Sequence, residues 1–157
     1  MLKEPMTPEG QQKLKAELEN LMKVQRPENV KAIAEARAHG DLSENAEYHA
    51  AKEKQSFIAG RIQDLQDKIA RAEVIDPSKI NHDKVAFGAT VTVLDVDTDE
   101  EKVYKIVGVD EADIKAGKLS IHSPMAKSLI GKAEGDEAIV KAPARTIEYE
   151  ILEIRFE

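Results

Sequence analysis

The sequence predicts an α+β protein, with an antiparallel coiled-coil hairpin of α-helices over residues 1–76 and an antiparallel sheet domain with one helix over residues 77–157. Two observations carry this. In the first half apolar residues recur at steps of three and four, the period of a helix stripe. In the second half they recur at steps of two, the period of a half-buried strand. Between the halves lies Ile75-Asp76-Pro77-Ser78, which reads as a linker.

The elements follow in order. Thr7-Pro8-Glu9 opens the first helix: a Thr cap, Pro at the first helical position and an acid in the first turn. Leu14, Leu18 and Leu21 form its stripe, and Pro27 predicts a kink or short break. The pattern resumes at Val30, Ile33, Ala34 and Arg37, and Gly40 ends it. Ile58, Ile62, Leu65, Ile69 and Ala72 step 4, 3, 4, 3, the seam of a coiled coil. A short turn between two such segments packs them antiparallel. At a rise of about 1.5 Å per residue, Pro8 to His39 spans roughly 48 Å. Leu and Ile lie far from the turn, while Ala32, Ala34, Ala36, Ala38, Ala46, Ala50 and Ala51 lie near it, predicting a thin tip around 40–48. In the second half, strands are expected at Thr90–Val96, Val103–Val107, Leu119–His122, Glu137–Lys141 and Thr146–Phe156. A helix capped by Ser123, with Pro124 in its first turn, ends at Gly131.

Composition excludes several classes. The chain has no Cys, so neither a disulfide framework nor a thiolate metal site is available. No apolar run approaches the roughly 20 residues of a membrane span. MLKEPMTPEG lacks the apolar core of a signal peptide, so a cytoplasmic protein is expected. The formal net charge is −7, with 12 basic and 14 acidic residues up to Pro77 and 11 and 16 beyond it. That balance argues against electrostatic coating of nucleic acid, leaving only a local basic patch for such contacts.

Most candidate sites reduce to structure. Asp95, Asp97 and Asp99 mimic the opening of an EF-hand loop, but Glu100 replaces its glycine and Ile106 its closing glutamate, so a solvated hairpin connection is expected. His39, His49, His82 and His122 show no metal-ligand spacing. The turn GDLSENAEY is different. Asp41 and Glu44 fit a capping box at the start of the second helix. They equally fit a half-site of two hard oxygen ligands for Mg²⁺ at an exposed tip, whose remaining ligands a partner must supply. Leu42, Ser43, Asn45 and Tyr48 complete the tip, and Arg37 and Lys52 stand near it, placed either to balance Glu44 and Glu47 or to hold a phosphate backbone.

RPENVKAIAEARAHGDLSENAEYHAAKEKQ at 26–55, FGATVTVLDVDTDEEKVYKIVG at 87–108 and SPMAKSLIGK at 123–132 resemble the bacterial transcript cleavage factors of the Gre family, over nearly the whole chain. The resemblance implies a coiled-coil hairpin and an FKBP-like C-terminal domain that binds RNA polymerase. It implies that the hairpin enters the secondary channel and that the tip stimulates cleavage of the 3′ end of backtracked RNA by the polymerase itself. Asp41 and Glu44 match the family's two tip acids, which hold a Mg²⁺ jointly with the polymerase; none is expected to bind tightly to the chain alone. Arg37 and Lys52 match its RNA-contacting basic patch, with Lys52 where Arg is frequent. Ser123 and Pro124 match a polymerase-binding segment. The chain is thus expected to be no enzyme itself, to be a monomer and to have no membrane partner. Two other readings fit the chain less well: a channel-occupying inhibitor, whose tip would depart from Asp-Leu-Ser-Glu, and a prolyl isomerase, whose pocket needs more aromatics than Phe87, Tyr104, Tyr149 and Phe156.

Overall fold

The computed structural model describes residues 2–40, 45–80 and 82–157. They form two compact units, residues 11–71 and residues 2–10 with 72–157. The first contains a helical hairpin. Helix α1 (Pro8–Asn20) runs through a wide π turn (Leu21–Gln25) into α2 (Arg26–Arg37), and α3 (Ala46–Arg71) returns. Its antiparallel register is legible in three residue pairs joined across the hairpin. Arg61 grips Glu17 with two bonds of 2.6 and 2.8 Å, Asn29 donates to the Ala51 carbonyl at 3.0 Å, and Asn45 donates to the Ala36 carbonyl. The Arg61–Glu17 fork, which also reaches Asp64 at 2.9 Å, raises the Arg61 pKa and lowers that of Glu17.

The expected break at Pro27 is instead the π turn. Pro27 has no N–H, and its ring would crowd the carbonyl four residues back. The chain stays helical through Gln25 and Arg26, and the Arg26 N–H bonds five residues back to Leu21. The wider turn has a second consequence. Continuing the 4, 3 alternation from Leu14 would bring the stripe to positions 28, 32 and 35. The buried residues are Asn29, Ile33 and Ala36, one later, as one inserted residue requires. Val30 and Ala34 are therefore exposed, and a buried Asn sits in the seam. On α3, Ile58, Ile62 and Leu65 are buried as expected and Ile69 half-buried. Ala72, expected to continue the seam, lies instead in a strand. Of the alanines near the turn only Ala36 is buried and Ala51 half-buried; the others are exposed, so they trim the outer surface more than the seam.

The second unit contains the sheet. Strands β1 (Glu4–Met6) and β2 (Ala72–Val74), which flank the hairpin in the chain, pair in parallel. Thr7 follows β1. Its hydroxyl accepts the Gly10 N–H at 3.2 Å, the expected cap. Glu111 holds Thr7 in place, accepting from its N–H and hydroxyl and from the Gly108 N–H. A Cβ on Gly108 would lie 2.6 Å from the Pro5 carbonyl oxygen, so the strap admits only glycine there.

Strands β3 (Ala89–Asp95), β4 (Glu101–Val107), β5 (Lys118–Ser120), β6 (Glu137–Lys141) and β7 (Thr146–Phe156) form a five-stranded sheet in the order β5-β4-β3-β7-β6. Three of its pairings are antiparallel, but β4 and β5 pair in parallel, so the sheet is not wholly antiparallel. Helix α4 (Pro124–Leu129) buries Ala126 and Leu129 in a core with Val91, Val93, Ile106 and Ile151. Each such large apolar side chain contributes about 1.5–3 kcal/mol. The period-two pattern of β7 is broken once. Tyr149 and Ile151 face the core, then Ile154 and Phe156 do, because Leu152 is an extra residue against the Thr92–Val93 step of β3.

Asp95, expected in a solvated connection, is 2 % exposed. The segment does join β3 to β4, but the Asp95 carboxylate accepts the Asp97 N–H at 3.0 Å and a guanidinium bond from Arg145 at 3.1 Å. Burial acts to raise its pKa; the Asp97 N–H, Arg145 and the Thr98 N–H together outweigh it and hold the pKa below its ordinary value. The folded state thus sheds this proton more readily than the unfolded chain, and the stabilisation is present above the unfolded pKa and lost as pH falls through the folded one. Comparing urea midpoints at neutral pH and below about pH 4, the deficit of Asp95→Asn relative to the unsubstituted chain is expected to shrink in acid.

Candidate functional site

The candidate site is the turn of the hairpin. Asp41, Leu42, Ser43 and Glu44 lie outside the described residues; the flanking residues are described. On the α2 side the helix ends at Arg37, followed by two turn bonds, from His39 N–H to Ala36 and from Gly40 N–H to Arg37. Gly40 adopts φ +112°, a region where a side chain would be strained.

On the α3 side the helix starts at Ala46 and Asn45 caps it, its side-chain oxygen accepting the Tyr48 N–H at 2.9 Å. The amide of the same residue donates to the Ala36 carbonyl in the last turn of α2, which also accepts the His39 N–H. Asn45 therefore closes both helices at once. Asn45 is a preferred N-cap residue directly before the first helical position, while Asp41 and Glu44, which the spacing offered as a capping box, lie outside the described residues. Asn45→Ala is expected to cost about 1 kcal/mol from the cap alone, seen as a lower urea midpoint of the helical circular dichroism signal.

The side chains around the turn meet in pairs. The Arg37 guanidinium lies over the Tyr48 ring, 5.7 Å from its centroid, within cation–π range. His39 faces Glu47 at 3.9 Å, giving a partner to an acid whose role the spacing left open. Lys52, one turn beyond Tyr48, is exposed and bonds to Gln55 at 2.8 Å. The structure thus joins Arg37 to Tyr48 directly and places Lys52 further along the same helix. Among the described residues no three His, Cys, Asp or Glu stand close enough to hold a metal ion. No described helix is long and apolar enough to cross a membrane.

Ser123 and Pro124 lie in the other unit. The Ser123 hydroxyl accepts the Ala126 N–H at 3.2 Å and donates to the Ser120 carbonyl at 2.7 Å, so it caps α4, with Pro124 first in the helix. Phe87 and Tyr149 are buried in the same unit.

Comparison with known proteins gives this arrangement a family. The transcription elongation factor N-terminal domain matches residues 4–74, and the GreA/GreB C-terminal domain matches residues 80–156. Transcription elongation factor GreA of Thermodesulfovibrio yellowstonii is 68% identical over 153 residues, covering 98% of this chain and 97% of that one. The chain belongs to the GreA/GreB family of transcription elongation factors. GreA of Hyphomonas neptunium is 64% identical, over 96% of both chains, and GreA of Brucella anthropi 60% identical, over 99% of both. In this GreA/GreB chain the boundary between the two family domains, 74 to 80, falls just after β2. Sequence reasoning missed the β1–β2 ribbon, the Thr7–Glu111 strap and the cap on Asn45. Only the last had a sequence signal: Asn directly before an Ala-rich helical run.

Proposed function

We propose that the chain acts on RNA polymerase that has backtracked, carrying Asp41 and Glu44 through the secondary channel to the polymerase active site and stimulating cleavage of the extruded RNA 3′ end. The observation that carries this reading is the cap on Asn45. Asn45 occupies the N-cap position of α3, a helix 26 residues long, directly after the two acids. The family membership and the helical hairpin support it.

The donor set fits a Mg²⁺ ion shared with the polymerase: two hard carboxylates, too few to hold the ion alone. Bound there, the ion would supply charge neutralisation and an activated water, as a second metal does in phosphodiester chemistry. The chain's own residues do the rest. Asp41 and Glu44 each offer a carboxylate. Arg37, oriented by the Tyr48 ring, and Lys52 offer positive charge to the phosphates of the extruded strand. Lys52 brings a point charge and not a planar fork, so its grip is less directional than that of Arg37. Ser123 and Pro124 belong to the surface proposed to bind the polymerase, while the hydroxyl itself keeps α4 capped. The acting unit is a cytoplasmic monomer.

The test is a backtracked elongation complex carrying 3′-labelled RNA. Adding the protein is expected to release short labelled fragments and to restore extension; an unchanged transcript would reject the reading in favour of a channel-blocking inhibitor.

A further inference from the structure

Among the described residues strand β6 is an edge of the sheet, bonded on one side only, to β7. Its sequence, Glu137-Ala138-Ile139-Val140-Lys141, is self-complementary when turned antiparallel on itself. About a two-fold axis through Ile139, Glu137 of one chain meets Lys141 of the other, twice, and Ile139 meets its copy. Residues 137, 139 and 141 share one face of the strand, because side chains alternate. Ala138 is in the core and Val140 packs against it, so that shared face is the outer one. Ile139 is 59 % exposed there.

Charge supplies the second argument. On the outer face Glu137 stands opposite Glu150 in the ladder. Its carboxyl also lies within hydrogen-bonding reach of Glu148, and that contact raises the Glu148 pKa. Like charges this close on a sheet destabilise each other. Lys141 makes no ion pair among the described residues, and it stands at the other end of the same strand. A second copy would bring its Lys141 to this acidic cluster at both ends of the shared pair.

We propose that β6 is a docking edge for a second copy of this chain, joining two sheets by antiparallel β6–β6 pairing with Ile139 at the two-fold axis. Backbone bonds supply the attraction and the Glu137–Lys141 pairs set the register, as in strand addition at an exposed edge. A five-residue edge buries little area, so the association is weak and reversible. The free protein thus self-associates when concentrated and acts as a monomer when dilute.

Sedimentation equilibrium of the full chain over a rising concentration series tests this. A monomer–dimer equilibrium is expected. Lys141→Glu, which sets acid against acid, and Ile139→Lys, which sets two lysines together at the axis, are each expected to weaken it at least tenfold. The double swap Glu137→Lys with Lys141→Glu keeps the pairs complementary with reversed polarity and is expected to restore it. All these side chains are exposed, and unchanged melting curves confirm folding. A monomer throughout the series, dimers indifferent to the single swaps, or a double swap that fails to restore association would each overturn the proposal.

Discussion

Asp41→Asn is expected to reduce stimulated RNA cleavage at least about 100-fold while leaving binding to polymerase and the melting curve unchanged. The amide keeps the shape of the carboxyl but loses its charge, and Mg²⁺ is a hard cation that needs charged oxygen donors. Glu44→Gln is expected to fall in the same direction. Helix α3 should not lose stability, because Asn45 supplies its cap. Raising the Mg²⁺ concentration is expected to recover part of the activity, since a weakened site fills by mass action. Cleavage equal to that of the unsubstituted chain would remove Asp41 from the proposed site, whatever the role of the hairpin.

The second large effect is on stability. Leu65→Ala is expected to destabilise the hairpin by about 3 kcal/mol, measured as a shift of the urea midpoint of helical circular dichroism. Leu65 is fully buried, in a seam shared with Leu14, Leu21, Ile33, Ile58 and Ile62. A two-helix unit has no further layer to close over the cavity, so the loss falls in the middle of the usual range for a buried leucine. Phe57→Ser on the same helix is expected to stay within about 0.5 kcal/mol, because Phe57 is 68 % exposed. Equal losses from both substitutions would mean that the stripe is not what holds the helices together.

The two-period organisation of this chain was legible in its residues. Leu14, Leu21, Ile58, Ile62 and Leu65 are buried where the helical spacing put them, and Val91 and Val93 where the strand spacing put them. Local chemistry also carried the Thr7 and Ser123 caps, since a cap is a bond between residues three apart. The family was legible as well, through the long stretches at 26–55, 87–108 and 123–132.

Phase and long-range pairing were decided only by the tertiary structure. One residue inserted by the π turn moved the stripe from Glu28 to Asn29 and left Val30 exposed, and one inserted at Leu152 moved the inward face of β7 from odd to even positions. Both insertions depend on what each element packs against. So do the parallel β4–β5 pairing and the β1–β2 ribbon, which join residues distant in the chain. The broken EF-hand pattern made Asp95 look solvated; Arg145, fifty positions away, pairs with it where it is buried. Sequence alone determined which residues are apolar, charged or turn-forming, because those are properties of single side chains and their near neighbours. The fold decided which of them face each other, because that depends on free energies gained only when distant segments meet.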